Sequence, residues 1–326
     1  MTEFVSGPPA GFKDRSSALV GVGVLVVVLG GVAALFAALV AVVGLLGSAS
    51  GIAARPAQLL PTVLTYIIVA AAFVWLGIGS IKARRWARAL LLIVSWLWLI
   101  SGVVGIALMA WTLPAAFTQP QLAGGSLSDG CAGTLVVAIV VVMAVFFVAL
   151  PGLLVLFYRS PHVKATCEAR DPVQRWTDAC PMPVLGMSFM LGAGAAFMLV
   201  MVVPYHGMFP LFGQFVSGIP GAALTIAAAA LTAYCARAVY RLDLRGWWVL
   251  LVASGAGAVS ATLTLARADL LEMYRLMGYS TEDLALLQPF LGRYARIFGP
   301  LMAVNGLLWF GYLLHMRKHF KRERSE

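Results

Sequence analysis

The feature that most constrains this chain is a recurring run of uncharged, largely apolar residues, each long enough to cross a hydrocarbon core about 30 Å thick. The first such run, ALVGVGVLVVVLGGVAALFAALVAVVGLL, occupies residues 18–46. Seven more follow at about 60–81, 89–113, 132–158, 183–203, 216–236, 246–266 and 297–315. Backbone polar groups inside a bilayer must satisfy one another, so only helices and closed barrels span it. Barrel strands alternate in polarity over short segments, whereas these runs are apolar on every side. The sequence therefore predicts an all-α, polytopic integral membrane protein with eight transmembrane helices. Composition agrees: only 11% of residues are charged, against roughly a quarter in soluble domains.

Eight spans put both termini on the same side. If that side is the cytoplasm, its segments hold 18 of the 23 basic residues, and the outer segments hold only Arg55, Arg267, Arg275, Arg293 and Arg296. This asymmetry is the positive-inside bias. It points to a multi-pass protein of a bacterial plasma (inner) membrane with N-terminus and C-terminus cytoplasmic. Anionic lipids are the expected partners of the inner basic segments. The net charge of +10 is accounted for by that topology and calls for no nucleic acid. The first apolar run is about twice the length of a signal-peptide core, so it reads as a retained span.

Residues 159–180, RSPHVKATCEARDPVQRWTDAC, form the longest polar connection on the inner side. They divide the chain into an N-terminal four-span half (1–158), a cytoplasmic connector (159–182) and a C-terminal four-span half (183–326). The stretch AAFVWLGIGSIKARRWARALLLIVSWLW, joining spans two and three, resembles ALTAYCARAVYRLDLRGWWVLLVASG, joining spans six and seven. In each, a small-residue helix end meets a basic turn and a tryptophan-marked helix returns. A separation of four spans gives parallel halves. Basic and aromatic residues also gather at membrane interfaces for independent reasons, so the match alone does not establish duplication.

Few residues offer chemistry. His162, Cys167, Cys180 and Cys235 combine imidazole and thiol groups that suit zinc, but their spacing lacks the close cysteine pair of a structural site. The methionines of span five suit copper in type and helix packing equally well. No ionisable residue lies at mid-depth in a span, where one would mark a coupled transporter. Asn305 and Gln214 are the clearest amides for a cavity. Beyond span seven, Arg267, Asp269, Glu272 and Arg275 recur at helical spacing, and Arg293 and Arg296 precede span eight. Pairing of Arg293 or Arg296 with Asp269 or Glu272 would dock this outer segment, 267–296, over the bundle. Alternatively Arg267, Arg293 and Arg296 would contact an anion or lipid headgroup. Ser280 and Asp283 read as caps of a short interfacial or re-entrant helix that Pro289 stops. Pro151-Gly152 predicts a kink in span four, and Gly21, Gly23, Gly30 and Gly31 give span one a surface for close helix packing.

Three function classes survive. The first, and preferred, is a non-catalytic membrane assembly or accessory subunit, as a homo-oligomer or with a membrane-protein partner. The second is a small transporter or channel for a neutral or amphiphilic substrate. The third is a membrane-embedded enzyme acting on a lipid or quinone. No cofactor motif is present; a bound phospholipid fits all three.

Overall fold

The computed structural model describes residues 13–50, 56–117, 129–267, 269–279 and 281–320. Helices α1 (Ser16–Ser50), α2 (Pro56–Ile81), α3 (Arg85–Phe117) and α4 (Asp129–Ala144) come first; a π-helical turn, Val145–Ala149, then leads into α5 (Leu150–Arg159). The polar connection folds as α6 (Pro161–Arg170) and a 3₁₀ turn, Trp176–Asp178. After it come α7 (Met182–Met201), a hairpin of β1 (Phe209–Leu211) and β2 (Gln214–Val216), and helices α8 (Gly218–Tyr240), α9 (Leu244–Arg267), α10 (Leu270–Leu276) and α11 (Thr281–Phe320).

Seven helices among the described residues are long and apolar enough to cross a membrane: Ser16–Leu46, Leu59–Ile81, Arg85–Met109, Val137–Arg159, Met182–Met201, Gly218–Tyr240 and Leu244–Arg267. They coincide with the first seven predicted runs. The protein is thus an all-α, multi-pass membrane protein embedded through apolar helices. Its chain divides into two compact units, residues 1–31 with 71–179, and residues 32–70 with 180–326.

In the first unit, close helix approach depends on single glycines. A Cβ on Gly23 would meet the Gly77 carbonyl at 2.9 Å, and one on Gly77 would meet the Gly23 carbonyl at 2.8 Å. Gly21 and Gly31 face open space, while Gly23 and Gly30 of the predicted packing surface are buried. Beside it, the buried Ser80 hydroxyl lies 2.8 Å from the Tyr158 hydroxyl and donates to the Leu19 carbonyl at 3.3 Å. This small network ties α1, α2 and α5 together without leaving a polar group dry. Where a kink is expected in span four, a π turn lies just before Pro151. Proline has no N–H for the carbonyl four residues back, and its ring crowds that carbonyl. Gly102 of α3 packs directly onto that carbonyl, on Phe147, where a Cβ would collide. Around the same turn, Trp98 meets Phe73, Phe146 and Phe147 at centroid distances of 5.6, 5.5 and 6.4 Å.

The second unit adds a β element that the sequence reading does not contain. Phe209 pairs with Val216 and Leu211 with Gln214 across a two-residue turn, Phe212-Gly213, whose φ angles are 41° and 106°. Positive φ at both positions is the signature of a tight hairpin turn. The turn is held by two hydroxyls one helical turn apart on α9: Phe212 N–H donates to Ser260 Oγ, and Gly213 N–H donates to Thr264 Oγ1, each at 3.0 Å. Side chains therefore satisfy the two N–H groups of the turn. At the other end of this unit, Trp247 is fully buried and donates its indole N–H to the Leu313 carbonyl at 3.0 Å. The Arg317 guanidinium lies 5.4 Å and 5.5 Å from the Trp247 and Trp248 rings, a cation–π clamp between α9 and the end of α11.

The outer segment departs from expectation at Pro289. Asp269 caps α10 by accepting from Leu271 N–H at 2.9 Å, and Glu272 pairs with Arg275 of the same helix at 3.0 Å. Both carboxylates thus have local partners; the side chains of Arg293 and Arg296 lie outside the described residues, as does Ser280. Pro289 does not stop a short helix. Residues 281–320 form one continuous helix of 40 residues, about 60 Å long at 1.5 Å per residue, in which Pro289 is an internal residue.

Candidate functional site

The densest constellation of charge in the first unit is where α6 and the 3₁₀ turn meet the sharp turn between α2 and α3. That turn, Lys82-Ala83-Arg84, closes α2 with Ala83 in the left-handed region at φ 49°. Ala83 N–H donates to the Ser80 carbonyl at 2.8 Å and Arg84 N–H to the Gly79 carbonyl at 3.0 Å, the paired bonds of a Schellman termination. The helix end thereby delivers Arg84, Arg85 and Arg88 to one corner.

Asp171 enters that corner from the end of α6. It is only 2% exposed, and a buried carboxylate requires partners. Arg175 supplies two bonds, Nη2 to Oδ1 at 2.8 Å and Nε to Oδ2 at 3.3 Å. Arg84 Nη1 lies 3.5 Å from Oδ1. The Arg85 backbone N–H donates to Oδ2 at 3.4 Å, so Asp171 also meets one of the orphan donors at the start of α3. Hydrogen bonding from Arg175, with the fields of Arg175 and Arg84, holds the Asp171 carboxyl below the usual carboxylate range despite its burial.

The other face of α6 holds the lead-in to α1. His162, Thr166 and Arg170 recur every four residues and so share one face. Lys13 N–H donates to His162 Nδ1 at 3.3 Å, Arg15 N–H to Thr166 Oγ1 at 3.1 Å, and Arg170 lies 3.7 Å from Asp14. Between the two faces, Val163, Ala165 and Cys167 are buried. The 3₁₀ turn closes on itself, Asp178 accepting from Arg175 N–H at 3.0 Å, while Arg85 reaches the Glu168 carbonyl at 3.3 Å. Three buried polar atoms at this corner, Arg85 Nε, Arg88 Nε and Thr177 Oγ1, find no hydrogen-bond partner among the described residues.

The zinc candidates are placed as follows. His162 is engaged with Lys13 through Nδ1. Burial pushes the Cys167 thiol up to about 11, the nearby Arg88 only partly offsetting it, and burial likewise pushes Cys180 up to about 11. A thiol must lose its proton to bind a metal or attack an electrophile, so both are held in the inert form at neutral pH. Cys235 is buried in α8. Among the described residues no three of His, Cys, Asp and Glu cluster closely enough to hold a metal ion.

Among the described residues two clefts of substantial size stand out, each within one unit. In the first unit, an entirely apolar groove of about 530 Å³ runs between α3 and the π turn, lined by Val103, Ile106, Val141 and Val148. In the second, a cleft of about 610 Å³ lies between the end of α7, the start of α8 and the end of α10, with His206 and Ser217 on its wall. Gln214 is exposed on β2, Asn305 on α11 and Arg267 at the end of α9, and none of the three lines either cleft. Arg267 instead flanks the hairpin turn, where a Cβ on Gly213 would lie 3.2 Å from its Cδ. The sequence reading passed over the role of Asp171 and the His206 cleft. The spacing of His162, Thr166 and Arg170 was the available signal for α6, and Phe212-Gly213 between short apolar stretches was the signal for the hairpin.

Comparison with family models, with curated proteins and with solved structures finds no match to this chain.

Proposed function

We propose that the protein is a non-catalytic membrane assembly or accessory subunit, and that its 159–182 connector is the docking platform for a partner. The observation that carries this reading is the combination of a locked base and an exposed apolar top. Asp171 and its arginines fix the connector to the head of α3, yet Val173 and Trp176 beside them are 60% and 50% exposed. Large exposed apolar side chains on a segment anchored through Asp171 suit recognition of a protein surface better than catalysis. Thiol chemistry is disfavoured by the same burial that rigidifies the segment.

In this reading both termini and the connector face the cytoplasm of a bacterial plasma membrane, and residues 297–315 within α11 form an eighth span. Parallel four-span halves are supported by the two basic turns, at Ala83 and Leu242, which share one hydrogen-bonding pattern. The reading is tested by introducing a photo-crosslinking residue at Val173 and, for contrast, at Val252, a 67% exposed position on α9. Irradiation in cells is expected to yield a discrete protein adduct, either a second copy or another membrane protein, from position 173 only. Lipid adducts alone at 173, from a chain that also purifies as a monomer, would refute the assembly role.

A further inference from the structure

We infer that the cleft between α7, α8 and α10 is a binding site for a phospholipid, with the phosphodiester at His206 and Ser217 and hydrocarbon against Val202, Val203, Ile219 and Leu276. The cleft lies where two long apolar helices end: Met182–Met201 stops just before it and Gly218–Tyr240 starts within it. That depth is the boundary between hydrocarbon and headgroups. Its walls are correspondingly mixed. Val203 and Ile219 are 76% and 88% exposed, the most exposed large apolar side chains on their stretches, and the polar residues His206 and Ser217 line the cleft where the end of α7 is tied to the start of α8.

The geometry of that end is built rather than incidental. His206 occupies the left-handed region at φ 53° and Gly207 follows at φ 63°. The chain reverses there through bonds from His206 N–H to the Val203 carbonyl at 3.1 Å and from Gly207 N–H to the Val202 carbonyl at 2.7 Å. The His206 carbonyl then accepts from Gly218 N–H at 2.8 Å, tying the end of α7 to the start of α8. Gly207 and Gly221 allow this approach, since a Cβ on either would run into backbone of the opposing segment. A non-glycine residue held at positive φ by surrounding backbone is an unusual placement, and it sets the exposed imidazole at the cleft wall. Ser217 is the N-cap of α8 but makes no side-chain capping bond, so its hydroxyl is not committed to the helix it precedes. Imidazole and hydroxyl can both donate, and a phosphodiester accepts only. The start of α8 contributes little itself: Gly218 N–H is already bonded and Pro220 has none.

The test uses the full chain, exchanged into micelles containing phosphatidylethanolamine and phosphatidylglycerol and released for native mass spectrometry. Wild type is expected to retain phospholipid after detergent washing. His206→Gly/Ser217→Ala should retain about tenfold less, the size expected for losing two modest hydrogen bonds; glycine suits the positive φ, so the backbone is preserved. Val203→Trp, at an exposed position, narrows the cleft without touching the polar end and should also lower retention, while Val252→Trp on α9 should not. Equal retention by wild type and both cleft variants overturns the site. Displacement of the phospholipid by an isoprenoid quinone overturns the assignment of the ligand.

Discussion

Two turns of this molecule have the same backbone and different means of support. In the first unit Ala83 and Arg84 close α2; in the second, Leu242 and Asp243 close α8. Leu242 N–H donates to the Val239 carbonyl and Asp243 N–H to the Ala238 carbonyl, each at 3.0 Å, reproducing bond for bond the pattern at Ser80 and Gly79. The left-handed residue is non-glycine in both, with φ 49° and 57°. The tight contact beside each turn is a glycine–alanine pair with the residues exchanged: Gly79 faces Ala87, and Ala238 faces Gly246. The difference is the cap. Asp243 caps its own helix, accepting from Arg245 N–H at 2.9 Å. The corresponding position in the first unit is Arg84, and the carboxylate comes instead from Asp171. One turn is self-sufficient, and the other depends on the connector.

The largest effect should come from removing the borrowed carboxylate. Asp171→Ala strips Arg175, Arg84 and the start of α3 of their shared partner and is expected to cost about 3 kcal/mol, read as a loss of thermal stability in detergent. Asp243→Ala should cost only about 1 kcal/mol, the usual loss of an N-cap. Equal costs would mean that the two turns are capped alike. Because the folded carboxyl of Asp171 titrates below its unfolded value, its contribution is complete above the unfolded value of about 3.9 and is lost as pH falls through the lower, folded value. Trp176 fluorescence should therefore hold steady from neutrality to about pH 4 and change below it, and the acid change should vanish in Asp171→Asn.

The exchanged pair gives an intermediate effect. Gly79→Ala places a methyl against Ala87 and should cost about 2 kcal/mol by overpacking. The double variant Gly79→Ala/Ala87→Gly exchanges the pair as at Ala238 and Gly246 but leaves the Trp86 ring 2.8 Å from the new Cβ, so it should recover part of that loss. Failure to recover would show that the two contacts are only superficially alike. The smallest effect is a gain. Ala83→Gly and Leu242→Gly relieve a left-handed residue of its side chain and should each stabilise by about 0.5–1 kcal/mol, similarly in the two units.

These turns also show where sequence reasoning carries and where it stops. Span positions were legible because hydrophobic run length is a local property, and the first seven runs match observed helices closely. The likeness of the two turns was legible too, through arginine, small residues and tryptophan at matched places. The dependence of Arg85 on Asp171 was not, because a cap supplied from 86 residues away leaves no local pattern. The His206 cleft was invisible for the same reason: it is assembled from three segments, and the φ of a histidine cannot be read from its letter. Pro289 misled because proline inside a helix is disfavoured, by about 3 kcal/mol, but not forbidden.

The π turn at Val145–Ala149 has a consequence for how the fourth span meets its neighbours. A π turn inserts one residue into an otherwise regular helix, so everything before it is rotated about 100° relative to an unbroken helix. Residues 129–144 and 150–159 therefore belong to two different helical phases, each with its own inward stripe. Deleting a single residue from 145–149 would hardly shorten the rod. It would spin its first half about its own axis, turning toward α3 side chains that now face lipid.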